Sequence, residues 1–548
     1  MSGRRSILRA AGDFVSDQII AFSPTLLAGA AFSGGIVLLV SGAMPVMPHR
    51  IAWLTNMLPL PVMELSHFFA SLVGAGLLVL ARGLHRRLDA AYVATAALLV
   101  LGIVLTLIKG FDYEEAALLA LMLMALLPCR AEFYRKTSLF HERFGGGWFI
   151  AVFFAVVGSI GLGLFAYKHI EYRDELWWQF SMYGDGPRFL RASVGVTALV
   201  IWLSIADLLK PARHDPPPAD SATLDRLTPI IRDFPKTYAS MALLGDKAIL
   251  ENAAKTAFLM YGVQGSSWIA LGDPVGPATE VAGLVQRFRE ACDRFHGSAV
   301  FYSIGKENLT TYLDAGLTLT KIGEEARVPL AAYSLEGGDN RELRYTHRHL
   351  GKEGCSLEIV TPEQIPQHLA TLKTLSDAWL SSKKTREKRF SLGFFDDNYL
   401  RRCSVALVRR NGKPVAFANF RTAGKKEEIA LDLMRYGPEA PSGIMDYLFV
   451  EMILWSKQQG YQWFNLGTAP LSGFESRSFA PAWQRVGAFI FSHGEHFYNF
   501  QGLRHYKEKF NPVWEPDYLA HPGGLGLPQI LLDVTALISG GWRGIVAK

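Results

Sequence analysis

The first 210 residues alternate long apolar runs with short basic loops, and that alternation narrows what this part of the chain can be. Apolar runs cover about 19–43, 57–81, 90–108, 115–129, 148–167 and 192–209. Most approach the length that crosses ~30 Å of hydrocarbon at ~1.5 Å per residue. The fourth, EEAALLALMLMALLP, is short and opens on Glu114 and Glu115, as a re-entrant or tilted segment would. Arg4, Arg5 and Arg9 precede the first run, and Arg82, Arg86 and Arg87 follow the second. Arg130, Arg135, Lys136 and Arg143 follow the fourth, and Lys210 and Arg213 follow the sixth. Every second loop is therefore basic, which places the N-terminus in the cytoplasm and, after six spans, returns the chain there. Trp177 and Trp178, in one of the opposite loops, suit an interfacial aromatic belt. The first run is long, lacks a small-residue cleavage site and is followed by further spans, so it reads as a span and not as a cleaved signal. Glu64 and His67 fall inside the second run. A helix–helix hydrogen bond near the interface is the plainer reading for them, and a path for a lipid headgroup the alternative.

Composition limits the rest. Of 548 residues, 50% are hydrophobic, too many for an ordinary soluble chain of this length and too few for one embedded throughout. A net charge of +6 fits anionic partners such as phospholipid headgroups or RNA. Cys129, Cys292, Cys355 and Cys403 are scattered without a CxxC spacing, so neither a disulfide framework nor a metal site is expected.

The expected organisation is a membrane domain over 1–210, a Pro-rich linker over 211–223, and an α/β cytoplasmic domain beyond it. AFLMYGV and SSWIALGD read as hairpin strands around Gln264-Gly265, VAGLVQRFREACDRF as an amphipathic helix and AVFYSIG as a strand. CSVALVRRNGKPVAFANFRT reads as a second hairpin turning at Asn411-Gly412. EEIALDLMRY is then a strand, GIMDYLFVEMILWSKQQG a helix closed by Gly460, and YQWFNLGT a strand. This repeated order resembles the GNAT acyltransferase fold used twice, over 224–345 and 346–522. The apolar tail, 523–548, reads as an amphipathic segment on the membrane surface, with packing on the domain as the alternative.

A GNAT enzyme grips the pyrophosphate of acyl-CoA on a Gly-rich loop after its central strand. The segment in that position, RYGPEAPSGIMDY, has scattered glycines and two prolines that lack amide donors. A different acyl donor is expected. EKRFSLGFFD (387–396), LDLMRY (431–436), FNLGTAPLSGF (464–474) and HGEHFYNFQGLRHYKEKFNPVWEPDYLA (493–520), with the multi-span N-terminal half, resemble the MprF family of phosphatidylglycerol lysyltransferases. The resemblance implies a tandem GNAT-fold synthase, aminoacyl-tRNA as donor and phosphatidylglycerol as acceptor. It implies no cofactor or metal, because the aminoacyl ester is already activated. Longer family members carry more spans, associated with flipping the product lipid, and that activity is not expected of about six. Lysine is the expected amino acid and alanine the runner-up. A flippase with a regulatory soluble domain and a peptidoglycan-bridge ligase are the competing readings, and homo-oligomerisation stays open.

Transesterification needs both partners positioned, a hydroxyl proton removed and an oxyanion stabilised. Asp432 and Arg435, in the expected central strand, and Glu495 are the catalytic candidates. Asp432 is read as general base or ammonium ligand, Arg435 as phosphate ligand, and Glu495 as partner of a lysyl ammonium. Three apart on a strand, Asp432 and Arg435 project to opposite faces unless a bulge intervenes. Arg504, Lys507, Lys509, Glu475, Ser391, Asn465 and Tyr436 are the substrate-binding candidates. The basic run 381–390 is read either as a contact for tRNA or anionic lipid or as a solvated loop.

Overall fold

The computed structural model describes residues 23–38, 60–110, 112–137, 215–338, 340–383, 386–473 and 500–541. The chain divides into two compact units, broadly residues 1–214 and 215–548.

The first unit is helical. Helices α1 (Ser23–Leu38), α2 (Leu60–His85), α3 (Asp89–Gly110) and α4 (Tyr113–Leu126) pack around Leu38, Leu77, Leu84, Leu99 and Leu119. Small residues let α1 approach α2: a Cβ on Gly35 would lie 2.8 Å from the carbonyl oxygen of Gly74. Outward-facing apolar side chains remain, among them Phe32, Val100, Val104, Leu121 and Met124. Among the described residues one helix, Asp89–Ile108, is long and apolar enough to cross a membrane. The expected fifth and sixth spans lie outside the described residues. The backbone of Glu64 and His67 belongs to α2.

The second unit opens with α5 (Ser221–Asp233), whose first turn is capped by the Asp220 carboxylate accepting from Thr223 N at 2.9 Å. The helix thus begins inside the stretch expected as linker. Eleven strands then form one sheet. They are β1 (Ala248–Glu251), β2 (Phe258–Gln264), β3 (Ser267–Leu271), β4 (Ser298–Ile304), β5 (Thr318–Pro329) and β6 (Cys355–Val360). β7 (Ser404–Arg410), β8 (Lys413–Thr422), β9 (Glu428–Tyr436), β10 (Trp463–Pro470) and β11 (Val513–His521) complete it. The order is β1-β2-β3-β4-β11-β5-β10-β9-β8-β7-β6. Read outward from the central β11–β5 pair, the two sides repeat. β4-β3-β2-β1 on one side matches β10-β9-β8-β7 on the other, and β6 is the extra strand. Each side has one parallel pair, β3/β4 and β9/β10, and the remaining pairs are antiparallel. A parallel pair needs a crossover. Helix α6 (Ala278–Arg294) supplies it on the first side and α11 (Ile444–Gln458) on the second. The halves share their centre, since β11 comes from the end of the second and sits between β4 and β5 of the first.

α7 (Leu309–Asp314) joins β4 to β5 within the first half, and α8 (Arg341–Lys352) lies between β5 and β6; α9 (Ile365–Lys383) and α10 (Asp397–Leu400) follow β6. α12 (Phe500–Glu508) precedes β11, and α13 (Leu527–Ile538) follows it. α8 and β6 were not read from the sequence. The tail helix α13 packs on the domain: Ile530 and Val534 join the core of the first half, and fully buried Asp533 accepts from Ser267 Oγ at 2.7 Å. That departs from the surface-lying reading, because the i, i+3, i+4 apolar stripe finds the face of β2 and β3.

Candidate active site

The two halves differ at their parallel seams. β3 and β4 stay paired over five residues, Ser267–Leu271 against Ser298–Tyr302. β9 and β10 pair over three, Glu428–Ala430 against Trp463–Asn465, and then part. β10 bulges between Asn465 and Thr468, with Gly467 at φ +78°, a left-handed conformation that suits glycine. α12 delivers the buried Lys507 to this bulge, where its ammonium donates to the carbonyls of Gly467 at 2.8 Å and Thr468 at 2.9 Å. Burial pulls the Lys507 amine down to about 8.

Two carboxyls reach the same bulge from the central strands. Glu325 of β5 accepts from Asn465 Nδ2 at 2.8 Å, and Asp517 of β11 accepts from Thr468 Oγ1 and Ser303 Oγ, each at 3.0 Å. Burial first, then the charge of Glu325, pushes Asp517 up to about 7. Burial and the neighbouring Glu428 raise Glu325 too. Among the described residues neither carboxyl has an ion-pair partner within 4.0 Å. Next to them Arg327 bridges Glu428 at 3.0 Å and Glu515 at 3.2 Å, and lies 4.7 Å from the Trp463 ring centre. Glu428 also accepts from Thr237 N and Oγ1 at 3.1 and 2.6 Å, so this charge is held by ion pairs and hydrogen bonds together.

The second group gathers on β9. Leu431 pairs with Phe420 and Met434 with Ala418, so Asp432 and Leu433 together oppose Asn419. Asn419 fills the bulge by accepting from Leu433 N at 2.8 Å. The extra residue turns Asp432 onto the face of Arg435. Both meet the segment 386–396, which joins α9 to α10. Asp432, its side chain 4% exposed, accepts from Gly393 N at 3.0 Å and Tyr399 OH at 2.7 Å, with Arg421 3.9 Å away. A Cβ on Gly393 would fall 2.2 Å from the Asp432 carboxylate, so any larger residue there would displace that carboxylate. Burial, then the Asp432 charge, pushes the Tyr399 phenol far up, and it stays a donor. Arg435 pairs with Glu387 at 2.9 Å, and its guanidinium lies 4.2 Å from the Trp379 ring centre. Burial lowers its pKa, and Glu387 opposes that.

The remaining candidates sit as follows. Ser391 lies in the 386–396 segment, partly buried. Tyr436 ends β9 on the opposite face, packed against the second half's core, with the Lys383 ammonium 5.6 Å from its ring. Arg504 pairs with Glu324 and Glu508 and lies 4.3 Å from the Trp514 ring centre. Lys509 pairs with Asp446 at 3.3 Å. Glu475 and Glu495 lie outside the described residues. Sequence reasoning missed Glu325, Asp517, Glu387 and Tyr399. The consecutive acids of GEEARVP, inside a long strand, were the available signal for Glu325.

A duplicated α/β sheet with an opened parallel seam in one half is the class this fold defines. The family described as "Phosphatidylglycerol lysyltransferase, C-terminal" matches residues 230–521, and the chain belongs to that family. The phosphatidylglycerol lysyltransferase of Bacillus subtilis (strain 168) is 30% identical over 520 residues, covering 92% of this chain and 58% of that protein. The chain thus spans somewhat over half the length of that relative. Two solved structures are similar to the second unit. The C-terminal domain (DUF2156) of a putative lysylphosphatidylglycerol synthetase from Agrobacterium fabrum is 41% identical with a TM-score of 0.54, covering 60% of this chain and all of that one. L-PGS from Bacillus licheniformis is 33% identical with a TM-score of 0.52, covering 60% of this chain and 99% of that one.

Proposed function

We propose that this chain transfers an aminoacyl group, lysyl first and alanyl as the alternative, from aminoacyl-tRNA to phosphatidylglycerol at the opening between β9 and β10. The observation that carries the reading is that the family match spans 230–521 and the seam opens inside it. A glycerol hydroxyl oxygen attacks the carbonyl carbon of the 3′-aminoacyl ester. A new C–O bond forms, the bond to the ribose oxygen breaks, and the proton leaving the glycerol hydroxyl ends on that ribose oxygen. No ATP or metal enters the balance.

Lys507, at the β10 bulge, is the group we assign to the reacting oxygens, since an amine of pKa about 8 both donates and accepts a proton near neutral pH. Glu325 and Asp517 suit the ammonium groups of a lysyl ester, and that is the ground for preferring lysine. Asp432 and Arg435 act in this reading by holding the 386–396 segment against β9. Glu495, Glu475 and the basic run 381–390 remain candidates for contact with tRNA or lipid phosphate. The N-terminal helices keep the catalytic unit at the inner membrane, where its product lowers the negative surface charge and weakens attraction of cationic peptides.

The test is lipid analysis. The full chain is expressed in a host that lacks aminoacylated lipids, and extracted membranes are examined by mass spectrometry. Lysyl-phosphatidylglycerol is expected, with at least a tenfold loss for Lys507→Ala. Alanyl-phosphatidylglycerol would change the amino acid and keep the reaction. No new lipid from a well-expressed, membrane-inserted chain would overturn the reading.

A further inference from the structure

The first half of the sheet has a closed seam, and its contribution to the site in the second half is visible at Asp246 and Lys247. These adjacent residues precede β1. The Lys247 side chain is fully buried; its ammonium donates to Asp246 Oδ1 at 2.6 Å and to the carbonyl of Met241 at 3.0 Å. The other oxygen of Asp246 accepts from the backbone N–H of Phe390 at 3.1 Å. Phe390 holds φ +63°, a conformation that a bulky residue keeps only when its surroundings impose it. Phe390 is 2% exposed, its ring 5.9 Å from the Lys247 ammonium, in a core built mainly from the first half and α13, which Tyr399 and Cys403 of the second half also join. One residue earlier, Arg389 N donates to the carbonyl of Ile538, the end of α13, at 2.9 Å.

The segment 386–396 is therefore a strap fastened at two places. On one side Asp246, Lys247 and α13 hold Arg389 and Phe390. On the other, β9 holds Gly393 through Asp432 and Glu387 through Arg435. Only Ser391 and Leu392 separate Phe390 from Gly393, too short a run to absorb a slack anchor.

We infer that Asp246 and Lys247 are positioning residues: the first half sets the geometry of the second half's site by pinning the strap at Phe390. The buried pair is matched to this task. An ion pair replaced by apolar groups often costs little stability, so the distinctive contribution of this one is the acceptor that its second carboxylate oxygen gives Phe390 N. A tandem arrangement follows, because a lone second half would carry the strap with one fastening.

The test uses the full chain in membranes and three readouts. The double variant Asp246→Ala with Lys247→Met removes both charges and the acceptor for Phe390 N. Its thermal midpoint is expected within a few degrees of the parent's. Trypsin cleavage after Lys388 or Arg389 is expected to rise about tenfold, and kcat to fall about tenfold with KM for aminoacyl-tRNA within about twofold. Asp246→Asn with Lys247→Met keeps an acceptor for Phe390 N and is expected to recover both cleavage resistance and kcat. Unchanged cleavage and kcat in the first variant would overturn the inference. Increased cleavage with unchanged kcat would also overturn it, by uncoupling the strap from the site. Failure of the first variant to fold would make the pair a folding determinant and equally refute a positioning role. The kinetic arm rests on the proposed aminoacyl transfer. The proteolysis arm does not, so a parent chain that makes no aminoacylated lipid would sink that function and still decide the anchor.

Discussion

At the scale of single residues, the groups around the β10 bulge tie stability to pH. Asp517 titrates at about 7 in the fold against an ordinary 3.8. A carboxyl raised in this way binds its proton more tightly folded than unfolded. Its contribution is fully present below about 4 and is lost as pH rises through about 7. Asp517→Asn keeps an oxygen that accepts from Ser303 and Thr468 and removes the titration. Its thermal midpoint is expected close to the parent's at pH 5 and above it at pH 8, a gap on the order of 1–3 kcal/mol. Thermal melts of both proteins across that range check it, and a gap that closes as pH rises would contradict the burial argument. Transfer activity is expected to fall in the same variant if Asp517 receives a substrate ammonium, so the two measurements separate stability from function.

At the scale of elements, the bulge in β9 decides which side chains can cooperate. A regular strand would send Asp432 and Arg435 to opposite faces. Asn419 supports the irregularity, fully buried, by taking the amide that the bulge withdraws from the ladder. Asn419→Ala leaves Leu433 N unpaired, with an expected cost of about 1–3 kcal/mol. Transfer activity is expected to fall further than that destabilisation explains, since the strap loses its seat. Wild-type turnover by the folded variant would show that the shared face is dispensable. The same strand shows what was legible in the sequence. Hairpins at Gln264-Gly265 and Asn411-Gly412 announce themselves by local turn chemistry, and EEIALDLMRY by its short, largely apolar run. The bulge does not, because its cause is a residue on the neighbouring strand. The strap was legible only as a family-like stretch, EKRFSLGFFD. Its meaning depends on Asp246, Ile538 and Asp432, which are distant in sequence and meet only in the fold. Glu325 and Asp517 were hidden for a related reason: a buried acid in a strand looks like an exposed one until its face is known.

At the scale of the whole chain, the question is what the apolar N-terminal helices do for a catalytic unit that carries its own core. The two halves of residues 215–548 are joined in one open sheet through the central strands β5 and β11, and its cores are separate from that of α1–α4. The Agrobacterium fabrum structure is matched over its full length and covers 60% of this chain. Residues 215–548 are therefore expected to fold when expressed by themselves, with a cooperative thermal transition. In the proposed reading, chemistry at the seam draws on residues 215–548, and the helices serve to bring that unit to its lipid acceptor. Tethering a reactive group to the membrane raises its effective concentration toward the headgroups into the mM range. Removing residues 1–214 is thus expected to leave kcat within about threefold, while kcat/KM for phosphatidylglycerol in vesicles falls at least tenfold and that for aminoacyl-tRNA is little changed. Detergent-dispersed lipid, which diffuses freely to either protein, is expected to narrow the difference. If the truncated chain were equally active on vesicles, the helices would have a task other than tethering, and lipid movement across the bilayer would be the next to assay.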